Sequence, residues 1–261
     1  MLLNGKIAVV TGGGRGIGRA IALRFAAEGA AVLVAARTES EVRGVAAEIE
    51  SAGGRSVYVT ADVSRESDCA HILSVAENRL GGGIGILVNN AGDYGPVKPI
   101  EEIATEEWDR VIAAHLRAAF LLTRMVLPGM YARGAGVILN ISSISAKSAY
   151  PWGAAYAAAK AGMLSLTRTA AAESARRGVR VNAICPGPVT ETKMSQELGI
   201  AIGARLGVTP EAELEHFLQN ILQGRGQTVA EIAAAAAFLA SDQASAITGQ
   251  SLNVDGGAVF C

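Results

Sequence analysis

Seven short runs rich in valine, isoleucine and other aliphatic residues recur along the chain, at 7–10, 31–36, 56–60, 84–88, 137–141, 179–184 and 250–254. Most are continuous rather than alternating, the pattern of strands covered on both faces. Between them lie segments of helical periodicity, at 16–28, 40–52, 66–79, 105–133, 154–176 and 229–241. Such alternation implies parallel strands joined by right-handed helical crossovers, that is, a doubly wound α/β sheet. A composition of 50% hydrophobic and 18% charged residues suits a sheet with both faces covered. No linker or internal repeat divides the chain, so 1–261 reads as one domain.

Several function classes lose support at this stage. With 23 basic and 24 acidic residues the net charge is −1, which gives no reason to expect nucleic acid or an anionic membrane as partner. The longest apolar run, near 229–240, is broken by Glu231 and too short to span a bilayer. The opening residues, Met1-Leu2-Leu3-Asn4-Gly5-Lys6, lack an apolar signal region. Cys69, Cys185 and Cys261 show no paired spacing, which argues against a disulfide framework and points to a reducing, cytoplasmic setting. Cys185 has no base nearby in sequence to activate it, so a nucleophilic role is not expected. His71 and His216 lie in polar helical surroundings without ligand-spaced partners; both read as surface residues, and no metal site is apparent.

A glycine-rich loop follows the first strand directly: Thr11-Gly12-Gly13-Gly14-Arg15-Gly16-Ile17-Gly18. Glycines let the backbone turn tightly and approach a pyrophosphate, and the helix that starts here offers N–H groups and positive potential. The spacing, Gly-x-x-x-Gly-x-Gly, differs from the commonest dinucleotide fingerprint. A carboxylate at the end of the second strand would mark a free ribose 2′-hydroxyl. This chain instead has Ala36-Arg37-Thr38, and Arg15 in the loop can approach the same place. Two guanidiniums without a carboxylate favour a 2′-phosphate, so NADP(H) is the expected cofactor and NAD(H) the alternative.

A second constellation lies at 143–160. Tyr156 and Lys160 stand four residues apart on a helical pattern, so they share a face with Cβ atoms about 6 Å apart. An ammonium there would lower the phenol pKa from its usual value of about 10, making Tyr156 an acid/base and Ser143 a partner for the reacting oxygen. On its own, the stretch also fits an alanine-rich helix with a surface lysine and a packed tyrosine.

Together, the glycine loop and the Ser143/Tyr156/Lys160 set resemble the short-chain dehydrogenase/reductase family. Further motifs follow in family order over nearly the full length: Asp62-Val63, Asn89-Asn90-Ala91-Gly92, Pro186-Gly187 and Val254-Asp255-Gly256-Gly257. The resemblance implies a Rossmann-type, seven-stranded parallel sheet. It also implies hydride transfer between a nicotinamide and a carbonyl or secondary alcohol, and a homotetramer packed through the helices at 105–133 and 154–176. Tyr156 would exchange the hydroxyl proton, Lys160 would bind the nicotinamide ribose, and Ser143 would hold the substrate oxygen. The resemblance assigns Gly12, Arg15, Gly16, Ile17, Gly18, Arg37, Thr38, Asp62, Val63, Asn90, Ala91, Gly92, Pro186, Gly187 and Val189 to the cofactor. A catalytically idle nucleotide binder is disfavoured by the intact Ser143/Tyr156/Lys160 set. A dehalogenase-type lyase is disfavoured by the glycine loop and by lysine at 160.

Two departures from the family pattern stand out. His115 replaces an asparagine that helps to hold a water behind the lysine. Either it packs there, or its imidazole joins the proton relay. The Pro186-Gly187 motif also runs one residue long, leaving Thr190 and Thr192 both able to meet the carboxamide. The stretch 188–226, just past a strand's carboxyl end, reads as a substrate-covering lid. Asp93, Tyr94, Trp152 and Met194 are candidate pocket residues by position, or simple packing.

Overall fold

The computed structural model describes residues 1–260, so Cys261 lies outside the described residues. All seven strands form one parallel sheet: β1 (Ile7–Thr11), β2 (Ala31–Ala36), β3 (Arg55–Thr60), β4 (Ile86–Asn89), β5 (Gly136–Ile141), β6 (Val179–Pro186) and β7 (Ser251–Val254). Their order across the sheet is β3-β2-β1-β4-β5-β6-β7. The chain winds outward from β1 in one direction to β3, then returns and winds the other way from β4. The crevice at this reversal, beyond the carboxyl ends of β1 and β4, is where open α/β sheets bind ligands.

The continuous apolar runs follow from this layering. Ala8 and Val10 of β1 face one layer of core, with Ile21 and Phe25 of helix α1 (Gly16–Ala27) and Ala236 of α9 (Val229–Ala240). Ile7 and Val9 face the opposite layer, with Ile72 of α3 (Glu66–Leu80) and Leu122 of α5 (Ala118–Arg133). Every residue of β1 is therefore buried. β3, at the sheet edge, buries Ser56 and Val59 and leaves its two ends exposed, as a partly covered strand does. Helix α2 (Glu39–Ser51) packs on β2 and β3, and α6 (Ala154–Ser174) on β6.

Three expectations need correction. The strand expected at 84–88 begins at Ile86; its approach is fixed by the Gly85 N–H donating to the Ile7 carbonyl at 2.9 Å. The helix expected at 105–133 is not uniform: α4 (Thr105–Ile112) runs into a π turn at Ala113–Arg117 before α5. This same stretch, not 229–240, is the one long and apolar enough by length and composition to cross a membrane among the described residues, and here it packs as a core helix against β4 and β5. The stretch 188–226, expected as a lid, is largely helical. It contains α7 (Lys193–Leu206), capped by the Thr192 hydroxyl, and α8 (Pro210–Leu218), capped by Thr209, and the two pack on each other.

Candidate active site

The glycine loop and the end of β4 are tied together by two side chains. The Thr11 hydroxyl accepts the N–H groups of Asn90 and Ala91 at 3.1 and 3.2 Å. The Asn90 side-chain amide donates back to the carbonyls of Thr11 and Gly12 at 2.9 and 3.1 Å. This closeness dictates glycine at 12 and 18. A Cβ on Gly12, whose φ is +62°, would stand 2.8 Å from the Ala91 Cα, and one on Gly18 would strike the Gly12 carbonyl. Gly16 differs, because there a Cβ would meet only the Thr192 side chain, at 3.5 Å. Helix α1 starts at Gly16 with no side-chain cap on its N-terminus and no acidic residue in its first turn. Its free N–H groups and positive dipole end suit a pyrophosphate, so the residues present fit a dinucleotide.

At the end of β2, Arg37 and Thr38 are exposed. Asp62 lies nearby; although burial opposes it, the Ser64 N–H and the charges of Arg37 and Arg65 hold its carboxyl below the usual range. Val63 is buried behind it. Glu41, which sequence reasoning passed over, also belongs here. It comes from the first turn of α2, packs against Gly14, and pairs with Arg15 at 3.7 Å. Only the three-dimensional approach of α2 to the loop reveals it.

Ser143, Tyr156 and Lys160 meet at the carboxyl end of β5, where all three are buried. Ser143 opens a short 3₁₀ turn and accepts the Ser145 N–H at 3.1 Å, which fixes its position. Tyr156 and Lys160 project from the first two turns of α6, with the Lys160 ammonium 5.4 Å from the centre of the Tyr156 ring. Lys160 donates to the Ile141 carbonyl at 2.6 Å, and the Ser142 hydroxyl holds the Lys160 carbonyl at 2.9 Å. Burial dominates the electrostatics of both groups. It drives Lys160 down to about 7 and Tyr156 up to about 12, against the opposing pull of the Ser143 hydroxyl. The expected lowering of the phenol pKa is therefore corrected: desolvation penalises the phenolate, while the same desolvation leaves the lysine only partly charged.

His115 sits in the π turn, 2% exposed, with its ring edge-on to Tyr156 at 5.5 Å between centroids. Its Nε2 lies 2.7 Å from the Asp93 carbonyl, and a Cβ on Gly92 would run into the imidazole. Burial first, then the charge of Lys160, holds its pKa down to about 3. The ring is thus neutral near pH 7, which sets aside a titrating relay and favours packing. Tyr94 stacks on the other side of Tyr156, with ring centroids 4.7 Å apart. Tyr94, Trp152 and Met194 all line the cleft, whereas the Asp93 carboxylate turns away to Arg110 at 3.1 Å. Trp152 has φ +63°, a strained value for a bulky residue.

At the end of β6 Pro186 is buried, as is Val189 just beyond it, and a Cβ on Gly187 would press on Asp255 in the closing Val254–Gly257 stretch. Thr192 spends its hydroxyl on Ser195 N–H and the Val189 carbonyl, while the Thr190 hydroxyl has no hydrogen-bond partner among the described residues. Cys185 is a buried thiol pushed up by burial, and Cys69 is raised the same way to about 11, so neither is poised as a nucleophile. His71 and His216 are both exposed, the latter at the mouth of the cleft.

Residues 6–202 match the family model described as short chain dehydrogenase. The chain belongs to the short-chain dehydrogenase family. It is 42% identical to 3beta-hydroxysteroid dehydrogenase 1 of Eggerthella lenta, over 98% of this chain and 94% of that one. It is 40% identical to the 4-formylbenzenesulfonate dehydrogenase TsaC1/TsaC2 of Comamonas testosteroni, over 98% and 99%. Among solved structures, a variant of the actinorhodin polyketide ketoreductase with NADPH superimposes with a TM-score of 0.92 at 35% identity, covering 97% of each chain. An NAD⁺-bound xylitol dehydrogenase gives 0.94 at 29% identity, covering 98% and 100%. This short-chain dehydrogenase is accordingly an NAD(P)-dependent oxidoreductase, and of the two solved structures one holds NADPH and the other NAD⁺.

Proposed function

We propose that the protein interconverts a carbonyl compound and a secondary alcohol with NADP(H), using Tyr156 as the general acid/base. The observation that carries this reading is the convergence of buried Ser143, Tyr156 and Lys160 beside an uncapped helix N-terminus. When bound, the nicotinamide supplies or accepts the hydride. The residues of this chain do the rest. Tyr156, with its proton held up to about 12, gives that proton to the developing alkoxide in the reductive direction. Ser143 holds the same oxygen, and Lys160, fixed on the Ile141 carbonyl, orients the ribose and adds positive charge when protonated. Thr190, whose hydroxyl is uncommitted, is the one we assign to the carboxamide, and Val189 packs beside it.

The preference for NADP(H) rests on Arg15 and Arg37, with Thr38, at the end of β2. NAD(H) is the second reading, and Glu41 is the observation that favours it, since its carboxylate already engages Arg15. Fluorescence titration of both cofactors, followed by a ketone and alcohol panel, tests the whole scheme. Tyr156→Phe is expected to lower kcat by roughly 10²–10⁴-fold with cofactor affinity retained. Full activity in that variant would remove Tyr156 from the chemistry, and kcat/KM equal or better with NAD(H) would remove the NADP(H) assignment.

A further inference from the structure

The cleft in front of Tyr156 has a volume of about 780 Å³, and the cofactor end, around Ile17 and Asn90, accounts for only part of it. The opposite end is walled by Tyr94, Tyr150, Trp152, Leu198, Ile202 and Phe217. Charge is distributed unevenly along it. The basic lining groups are Lys160, buried at the floor on the Ile141 carbonyl, His115, buried beside Tyr156, and His216 at the mouth. The Arg205 guanidinium lies 6.0 Å from the Trp152 ring but is bonded to the Val97 carbonyl at 2.6 Å and paired with Glu102 at 3.4 Å. Lys147 donates to the Ser251 carbonyl and to Asn253, and Lys193 pairs with Glu197. Two carboxylates, Glu211 and Glu213, line the α8 side, and burial raises the pKa of Glu213.

We propose that the substrate is a bulky, uncharged and largely apolar ketone or alcohol, and that anionic carbonyl compounds are excluded. This rests on the carbonyl–alcohol reading above. An anion seated here would lose its hydration among aromatic walls and meet two carboxylates, and among the described lining residues the one lysine or arginine is Lys160, already bonded to the Ile141 carbonyl. An apolar body gains from the same walls by leaving water. Length has its own limit. Tyr150 and Phe217, with ring centroids 5.7 Å apart, separate the cleft from a side chamber of about 380 Å³ lined by Leu206, Val208, Ile221 and Ala258.

A matched pair separates charge from shape: 4-oxocyclohexanecarboxylate and its ethyl ester, with 2-decalone as a bulkier neutral ketone. Turnover is followed by nicotinamide absorbance, and binding to the cofactor-loaded protein by calorimetry. The ester and decalone are expected to exceed the acid in kcat/KM and in affinity by about tenfold or more. Glu213→Lys is expected to move the ester-to-acid ratio toward the acid, with folding checked by thermal melting. An acid turned over or bound as well as its ester overturns the inference and leaves the reaction class standing. Selective binding of the neutral compounds without turnover supports the inference while counting against the reaction class.

Discussion

At the scale of single residues, burial outweighs neighbouring charge in this site. Tyr156 keeps its proton to about pH 12, so it is ready as a proton donor and must be deprotonated to act as a base. The sign of the pH dependence follows. Alcohol oxidation should climb in kcat/KM between about pH 7 and about pH 10, while carbonyl reduction loses no proton donor in that window. An oxidation rate that levels off near neutrality would refute the assignment of that titration to Tyr156. His115 gives a second test. With its pKa held down to about 3, it titrates nowhere near the working range. His115→Asn should therefore leave the shape of the pH–rate profile unchanged, and a limb near neutrality that vanishes in the variant would restore the relay. Nothing in the sequence shows this, because a histidine's pKa depends on what surrounds it.

At the scale of elements, the strands and most helices were legible because their apolar runs and periodicity carry the signal directly. The π turn was not, because an extra residue in one helical turn leaves no mark on the periodicity of a mostly apolar stretch. The reason for the glycines was half legible. The motif reads as a phosphate cradle, yet Gly12 and Gly18 are glycine because Asn90 and the loop backbone crowd them. Gly12→Ala should thus cost stability, roughly 1–3 kcal/mol by analogy with overpacked interiors, besides weakening cofactor binding. Thermal melting without any cofactor checks this. An unchanged melting temperature with impaired binding would return Gly12 to a purely ligand-facing role.

At the scale of the whole molecule, the placement of the site at the reversal between β1 and β4 follows from strand order, which periodicity alone does not give. The walls of the cleft beyond Tyr156 were also beyond reach, since they depend on how α7 and α8 pack. Association is a further property at this scale. Trp108 of α4 and Phe120 of α5 remain 37% and 45% exposed, apolar surface on one of the two helices expected to mediate a homotetramer. Light scattering should give four times the chain mass; a monomer would refute it. The segment 188–226 carries a last consequence. Ser143 follows β5, and Tyr156 and Lys160 stand on α6, whereas much of the far wall of the cleft comes from a segment spliced between β6 and α9. Diversification in such a chain can proceed by rewriting one cassette while the reaction machinery is inherited intact. Transplanting 188–226 from a relative should carry over that relative's choice of substrate.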